Sequence, residues 1–186
     1  QTGETDIAAS DKLGVIDFQA PDEGTGTDAI LVAAGIEAIS EGDFSSSSNA
    51  TKLSFKTASS ATAAETMALS SAGALTVTGD ITAFASDERL KTLNGKIDSA
   101  LDKVMNLTGY TFTWNDKAKQ LNEQLFGNTN QVGVSAQEVR EVCPEVVKEA
   151  PFDNRYLTVQ YEKLVPLLIE AIKELKTEVD YLKKDR

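Results

Sequence analysis

At 186 residues with a net charge of −11, the chain has room for one domain or two small ones and lacks the basic stripe needed to neutralise a nucleic-acid backbone. It has no histidine, so Ser-His-Asp and Cys-His catalysis are out of reach, the commonest zinc ligand is missing, and no metal or other cofactor is expected. No apolar run is long enough to span a bilayer, so no membrane insertion is expected, and a chain that begins at Gln1 reads as a soluble piece of a longer protein.

The charge is unevenly spread. Residues 1–85 carry 12 Asp and Glu against 3 Lys and Arg, net −9, whereas residues 86–186 carry 17 against 15, net −2. The first segment is rich in Ala, Ser, Thr and Gly, and its aromatics are Phe18, Phe44, Phe55 and Phe84. So few bulky residues make a poor core for one chain alone. Short alternating runs at Val15–Phe18, Ala29–Val32, Lys52–Lys56, Thr66–Leu69 and Ala74–Thr78 predict β-strands, separated by turn signals at Pro21-Asp22-Glu23-Gly24, Glu41-Gly42-Asp43 and Ala72-Gly73. A disordered acidic linker is the alternative, because Ser45–Ser48 and Ser59–Ala64 are low in complexity. Strands with one thin apolar face become stable when equivalent strands of other chains cover it, as in an intertwined fibre.

From Ser86 the sequence turns charged and helix-prone. Leu90, Leu93, Ile97, Leu101 and Val104 fall at spacings of three and four, which predicts helix over 86–106 with Gly95 interrupting it. Thr108–Trp114 alternates threonine and aromatics, placing Tyr110, Phe112 and Trp114 on one strand face, with Gln131–Val134 as a candidate partner in a small hairpin. The polar stretch Asn115–Asn130 between them is a long excursion. Ala136–Val142 predicts a short helix stopped by Pro144, and Cys143 between Val142 and Pro144 reads as a packed side chain rather than a reactive thiol.

Tyr161, Val165, Leu168, Ile172, Leu175, Val179 and Leu182 form a heptad stripe. Its β-branched and leucine seams taken alone favour a parallel dimer, while Leu164 and Ile169 add flanking apolar surface suited to a wider bundle. Glu178 and Lys183 are spaced to pair across neighbouring helices. An ordinary amphipathic helix packed within its own chain is the alternative. Pro166 should sit near the helix start or kink the helix.

The hexapeptide Ser86-Asp-Glu-Arg-Leu-Lys91 marks the junction between the two segments. It is followed in order by Ile97–Leu101, Leu107–Trp114, Val132–Val139 with Cys143–Val147, and Tyr161–Leu164. These blocks over residues 86–183 resemble the endosialidase-type C-terminal intramolecular chaperone, a self-cleaving module at the ends of bacteriophage tail spikes and tail fibres. Ser135 departs from the pattern where an apolar residue is expected.

The resemblance implies an α+β homotrimer: a β-rich fibre segment over 1–85, then a mainly helical chaperone and autoprocessing domain over 86–186 with a small β-hairpin and a C-terminal coiled-coil helix. It implies that Ser86 and Lys91 are the catalytic pair of a single-turnover serine peptidase, with the scissile bond between Ala85 and Ser86. Ser86 would attack the carbonyl carbon of Ala85, with Lys91 accepting its proton and Arg89 as a nearby positive charge to help deprotonate the lysine, opposed by Asp87 and Glu88. On the residues alone, Ser86 reads as a helix N-cap and Lys91 as a solvated side chain. The resemblance further implies a virion location for the mature part, assembly of the chaperone in the host cytoplasm followed by release, and a host cell-surface receptor or glycan as partner. A fibre tip whose helical end stays attached for life is the competing reading.

Overall fold

A computed structural model of the chain describes residues 3, 5–21, 24, 26–83, 85–123 and 125–184. The chain divides into two compact units, one of Gln1–Ala85 with Ala118–Gly127 and the other of Ser86–Lys117 with Asn128–Arg186. Part of the excursion between Trp114 and Gln131 is thus grouped with the first unit, a break in the chain order that the sequence did not suggest.

The first unit is an antiparallel sheet whose strands follow chain order: β1 (Lys12–Gln19), β2 (Val32–Ser40), β3 (Thr51–Thr57), β4 (Ala64–Leu69) and β5 (Leu75–Val77). A paired meander replaces the disordered linker. Register separates the faces. Ile16, Ile36, Phe55, Met67 and Val77 lie opposite one another across all five strands, and Val15, Glu37, Ser54, Ala68 and Thr76 form the row beside them, pointing the other way. The first row belongs to an apolar face whose Ile16, Phe18, Leu53, Leu69 and Leu75 stay exposed. On the other face Glu37 is buried between Lys12 at 2.7 Å and Lys56 at 2.8 Å, and Lys52 meets Glu65 at 2.8 Å.

Four of the predicted runs fall on strands. The fifth, Ala29–Val32, is a turn that leads into β2, where the alanines of Val32–Ser40 blunted the alternation. Gly73 occupies the left-handed region at φ 78° in the tight β4–β5 connection, as its turn signal requires. Asp22 and Glu23 of the first turn signal and Phe84 lie outside the described residues.

In the remainder of the chain come α1 (Ala100–Met105), β6 (Gly109–Phe112), α2 (Asp116–Leu121), β7 (Gln131–Val134), α3 (Ala136–Val142), β8 (Val147–Ala150), β9 (Asp153–Val159) and α4 (Val165–Lys184). Strands β6 and β7 pair antiparallel with Gly109 opposite Val134, as the alternation suggested, and β8 and β9 form a second hairpin. Phe112 and Trp114 meet edge to face at 5.1 Å. Gly133 of β7 allows a close approach: a Cβ there would stand 2.6 Å from the Tyr161 hydroxyl oxygen. Ser135 departs from the apolar pattern because it caps α3, its Oγ accepting the Glu138 N–H at 3.4 Å.

The core of this unit joins Ala100, Val139, Val146, Leu164, Leu167 and Ala171, with Cys143 packed against it. Burial, then the charge of Glu145, pushes the Cys143 thiol up from its ordinary value. Helix α4 therefore has two apolar faces. Leu167 and Ala171, together with Leu164 of the 3₁₀ turn just before the helix, turn inward, while Val165, Leu168, Ile172, Leu175, Val179 and Leu182 remain exposed along the heptad stripe. Leu164, expected to widen the seam, belongs to the inward face. Pro166 sits in the first turn of α4, where its missing N–H leaves no bond unmade. Among the described residues no helix is long and apolar enough to cross a membrane.

The helix expected over 86–106 is confined to a 3₁₀ turn at Glu88–Leu90 and to α1. Gly95 at φ 132° and Ser99 at φ 50° break the ladder between them. Leu90 and Leu93 are 77% and 68% exposed, so the amphipathic spacing has no surface here to reward it, and short helices rarely persist without one.

Candidate processing site

Ser86 begins a tight turn built by local hydrogen bonds rather than by packing, since every described residue from Ser86 to Lys96 is exposed. The Asp87 carbonyl accepts the Leu90 N–H at 3.1 Å, and the Glu88 carbonyl accepts the Lys91 N–H at 3.0 Å. Asp87 is the cap: its Oδ1 accepts the Arg89 N–H at 2.9 Å. The turn folds the chain back so that Lys91 Nζ donates to Ser86 Oγ at 2.7 Å. Both sequence-predicted site residues are thus brought into direct contact. Once the lysine has lost a proton, the same contact run in reverse lets the amine accept the serine O–H, the geometry of an activated nucleophile.

Arg89 is engaged differently from the sequence expectation. Its Nε lies 3.0 Å from Asp87 Oδ1 and 3.2 Å from Oδ2, and its Nη2 lies 2.6 Å from Oδ2. The guanidinium therefore pairs with Asp87 instead of standing as a free charge beside Lys91. It holds the Asp87 carboxyl below its ordinary range, with the backbone N–H of Arg89 as the second cause. Sequence reading missed this clamp. The tripeptide Asp-x-Arg recurs at Asp153-Asn154-Arg155, and only the structure shows that it makes the same contacts there: backbone N–H to Oδ1 at 2.9 Å and Nη2 to Oδ2 at 2.6 Å.

The pair lies on open surface. A groove of about 540 Å³ on the same unit, lined by Tyr110, Phe112, Trp114, Val132 and Tyr161 among others, includes neither Ser86 nor Lys91. Among the described residues no group of acidic or cysteine side chains is arranged to hold a metal ion.

Residues 86–148 match the family described as the chaperone of endosialidase, a peptidase family, and the match begins at Ser86. The segment that opens with the serine–lysine contact is thus similar to the endosialidase-type intramolecular chaperones over residues 86–148. The chain is 36% identical over 99 residues to the long tail fiber protein Gp37 of Enterobacteria phage K3, a match covering 52% of this chain and 8% of that protein. The Gp37 of Enterobacteria phage T2 is likewise 36% identical over 99 residues, covering 52% and 7%. The matched region is a small part of either relative's length. Among solved structures, the carboxy-terminal domain of the bacteriophage T5 L-shaped tail fiber with its intramolecular chaperone domain aligns with 94% of this chain and 55% of its own, at a TM-score of 0.36 and 12% identity.

Proposed function

We propose that the chain is the C-terminal region of a phage tail fibre, in which residues 86–186 hold three copies together while the fibre folds and then release themselves by cutting the Ala85–Ser86 bond. The observation that carries this reading is the 2.7 Å contact between Lys91 Nζ and Ser86 Oγ at the first residue of the family-matched segment. In the proposed step Ser86 Oγ bonds to the Ala85 carbonyl carbon, and Lys91 takes the hydroxyl proton. The C–N bond then breaks, and Lys91 passes the proton to the departing Ser86 amine. Water adds across the resulting ester, leaving a carboxylate on Ala85 and restoring the Ser86 hydroxyl.

Two unpartnered apolar surfaces support a homotrimer: the exposed heptad stripe of α4 and the apolar face of the β1–β5 sheet. After release, residues 1–85 would stay with the virion and take part in contact with a host cell-surface receptor or glycan. Denaturing mass spectrometry of freshly expressed protein tests the processing. Wild type should yield fragments ending at Ala85 and beginning at Ser86, whereas Ser86→Ala and Lys91→Ala should remain whole. Equal cutting in all three would refute the dyad. A wild-type chain that stays intact and trimeric would instead favour a permanent fibre tip.

A further inference from the structure

We propose that Asp87 and Arg89 are positioning residues for the Ser86–Lys91 pair: Asp87 builds the turn that returns Lys91 to Ser86, and Arg89 occupies the Asp87 carboxylate so that it does not capture the lysine. The inference rests on the proposed self-cleavage and assigns roles to two residues between its reacting groups. Tertiary packing cannot supply this positioning within the chain, because residues 86–96 are exposed throughout. A 3₁₀ turn of three residues has little intrinsic stability. It is held by two backbone bonds, from Leu90 to Asp87 and from Lys91 to Glu88, together with the Asp87 cap on the Arg89 N–H.

The second role comes from charge. A lysine four residues after an aspartate, on a turn that already draws it back, has a carboxylate within its reach as well as the serine. An ammonium held by a carboxylate keeps its proton and is lost as a base. Arg89 places Nε against both oxygens of Asp87 and Nη2 against one of them. Planar, two-pronged pairing of this kind is the geometry in which arginine outcompetes lysine for a carboxylate. The lysine is left to Ser86 Oγ.

Cell-free synthesis of the full chain, followed by time-resolved mass spectrometry of the cut, separates these roles. Asp87→Ala should slow cutting on the order of tenfold through loss of the cap, while Asp87→Asn, an equally good cap, should stay near the wild-type rate. Arg89→Ala should also slow cutting, because Asp87 is then free to hold Lys91. Adding Asp87→Asn to Arg89→Ala should restore the rate, a rescue that a merely structural clamp would not give. Asp153→Ala, which breaks the same clamp in β9, should leave the rate unchanged, with thermal melting checking that each variant folds. Wild-type speed in Asp87→Ala, or a double variant no faster than Arg89→Ala, would overturn the positioning roles while self-cleavage stands. An uncut wild type would overturn the processing reading, and these roles with it.

Discussion

The Glu174 carboxylate of α4 accepts the backbone N–H of Ala100 at 3.0 Å, and its second oxygen takes that of Leu101 at 2.7 Å. Ser99, the residue at the cap position of α1, offers no side-chain bond of its own. The long helix therefore caps the short one across more than 70 residues of sequence, and α1 keeps its place because α4 is formed.

Removing this cap should loosen α1. Glu174→Ala is expected to lower the melting temperature of a released 86–186 fragment by roughly a few degrees, with Glu174→Gln between it and wild type because an amide oxygen still accepts one N–H. The two N–H groups, Leu101 first, hold the Glu174 carboxyl below its ordinary value. A carboxyl lowered on folding contributes stability that is complete above the unfolded value, about pH 4.3, and is lost as pH falls through the folded value. The gap between wild type and Glu174→Ala should therefore narrow on acidification. A gap independent of pH would remove the carboxylate from this role.

Neighbouring leucines on α4 should fail in different ways. Leu167 is 1% exposed in the core, so Leu167→Ala should cost about 2–5 kcal/mol and show in the melt of a single chain. Leu168 is 45% exposed on the heptad stripe. Replacing it and Leu175 with serine should leave the single chain's fold nearly unchanged but dissociate the proposed trimer, since each burial there is worth roughly 1.5–3 kcal/mol per chain. Light scattering beside circular dichroism reads both effects. A trimer that survives both serines would place the assembly surface elsewhere.

This contrast also marks what the sequence could carry. The heptad stripe was legible because it repeats over several turns, and α3 because Pro144 ends it. The inward face of α4 was harder to see, because Leu164, Leu167 and Ala171 acquire meaning only when α1 and α3 are packed on them. Periodicity over 86–106 was real but misleading: spacing describes a potential face, and Leu90 and Leu93 stay exposed, with no described residue burying them. The β8–β9 hairpin escaped notice because β8, Val147-Lys-Glu-Ala150, is only four residues long with an adjacent charged pair at its centre and so shows no alternation. Of the site, Ser86 and Lys91 came from motif resemblance, whereas the Asp87–Arg89 clamp required coordinates to show which cation Asp87 holds.

Glu37 gives the sheet unit its own acid sensitivity. Its hydrogen bond to Lys12, then that to Lys56, keeps its carboxyl below the ordinary glutamate value against the cost of burial. Stability from this cluster is complete above about pH 4.3 and falls away as pH drops through the folded value. Glu37→Gln should weaken the sheet near neutrality, and the deficit should shrink in acid, where wild type has lost the same charge. Calorimetry from about pH 7 to about pH 3 checks the convergence. Parallel curves would mean that Lys12 and Lys56 contribute nothing through charge.

If residues 86–186 hold three chains in register as proposed, the exposed apolar face of the same sheet should make residues 1–85 dependent on them for assembly. Ile16, Phe18, Leu53, Leu69 and Leu75 are 58%, 54%, 42%, 40% and 59% exposed in one chain, so the face recovers little of the ordering cost of its strands. Three chains already held in register by α4 would meet face to face without a further association cost, whereas free copies would have to meet that cost first. Residues 1–85 expressed alone should therefore remain unassembled or aggregate. The same segment released from the full chain should stay assembled after the helper has gone, because the apolar surface already buried between chains makes its unfolding slow, although without the helper it would not readily reassemble once unfolded. Light scattering and resistance to proteolysis compare the two preparations. A soluble trimer that forms as readily from the short segment as from the full chain would refute the chaperone role, leaving residues 86–186 as a tail module with no part in assembly.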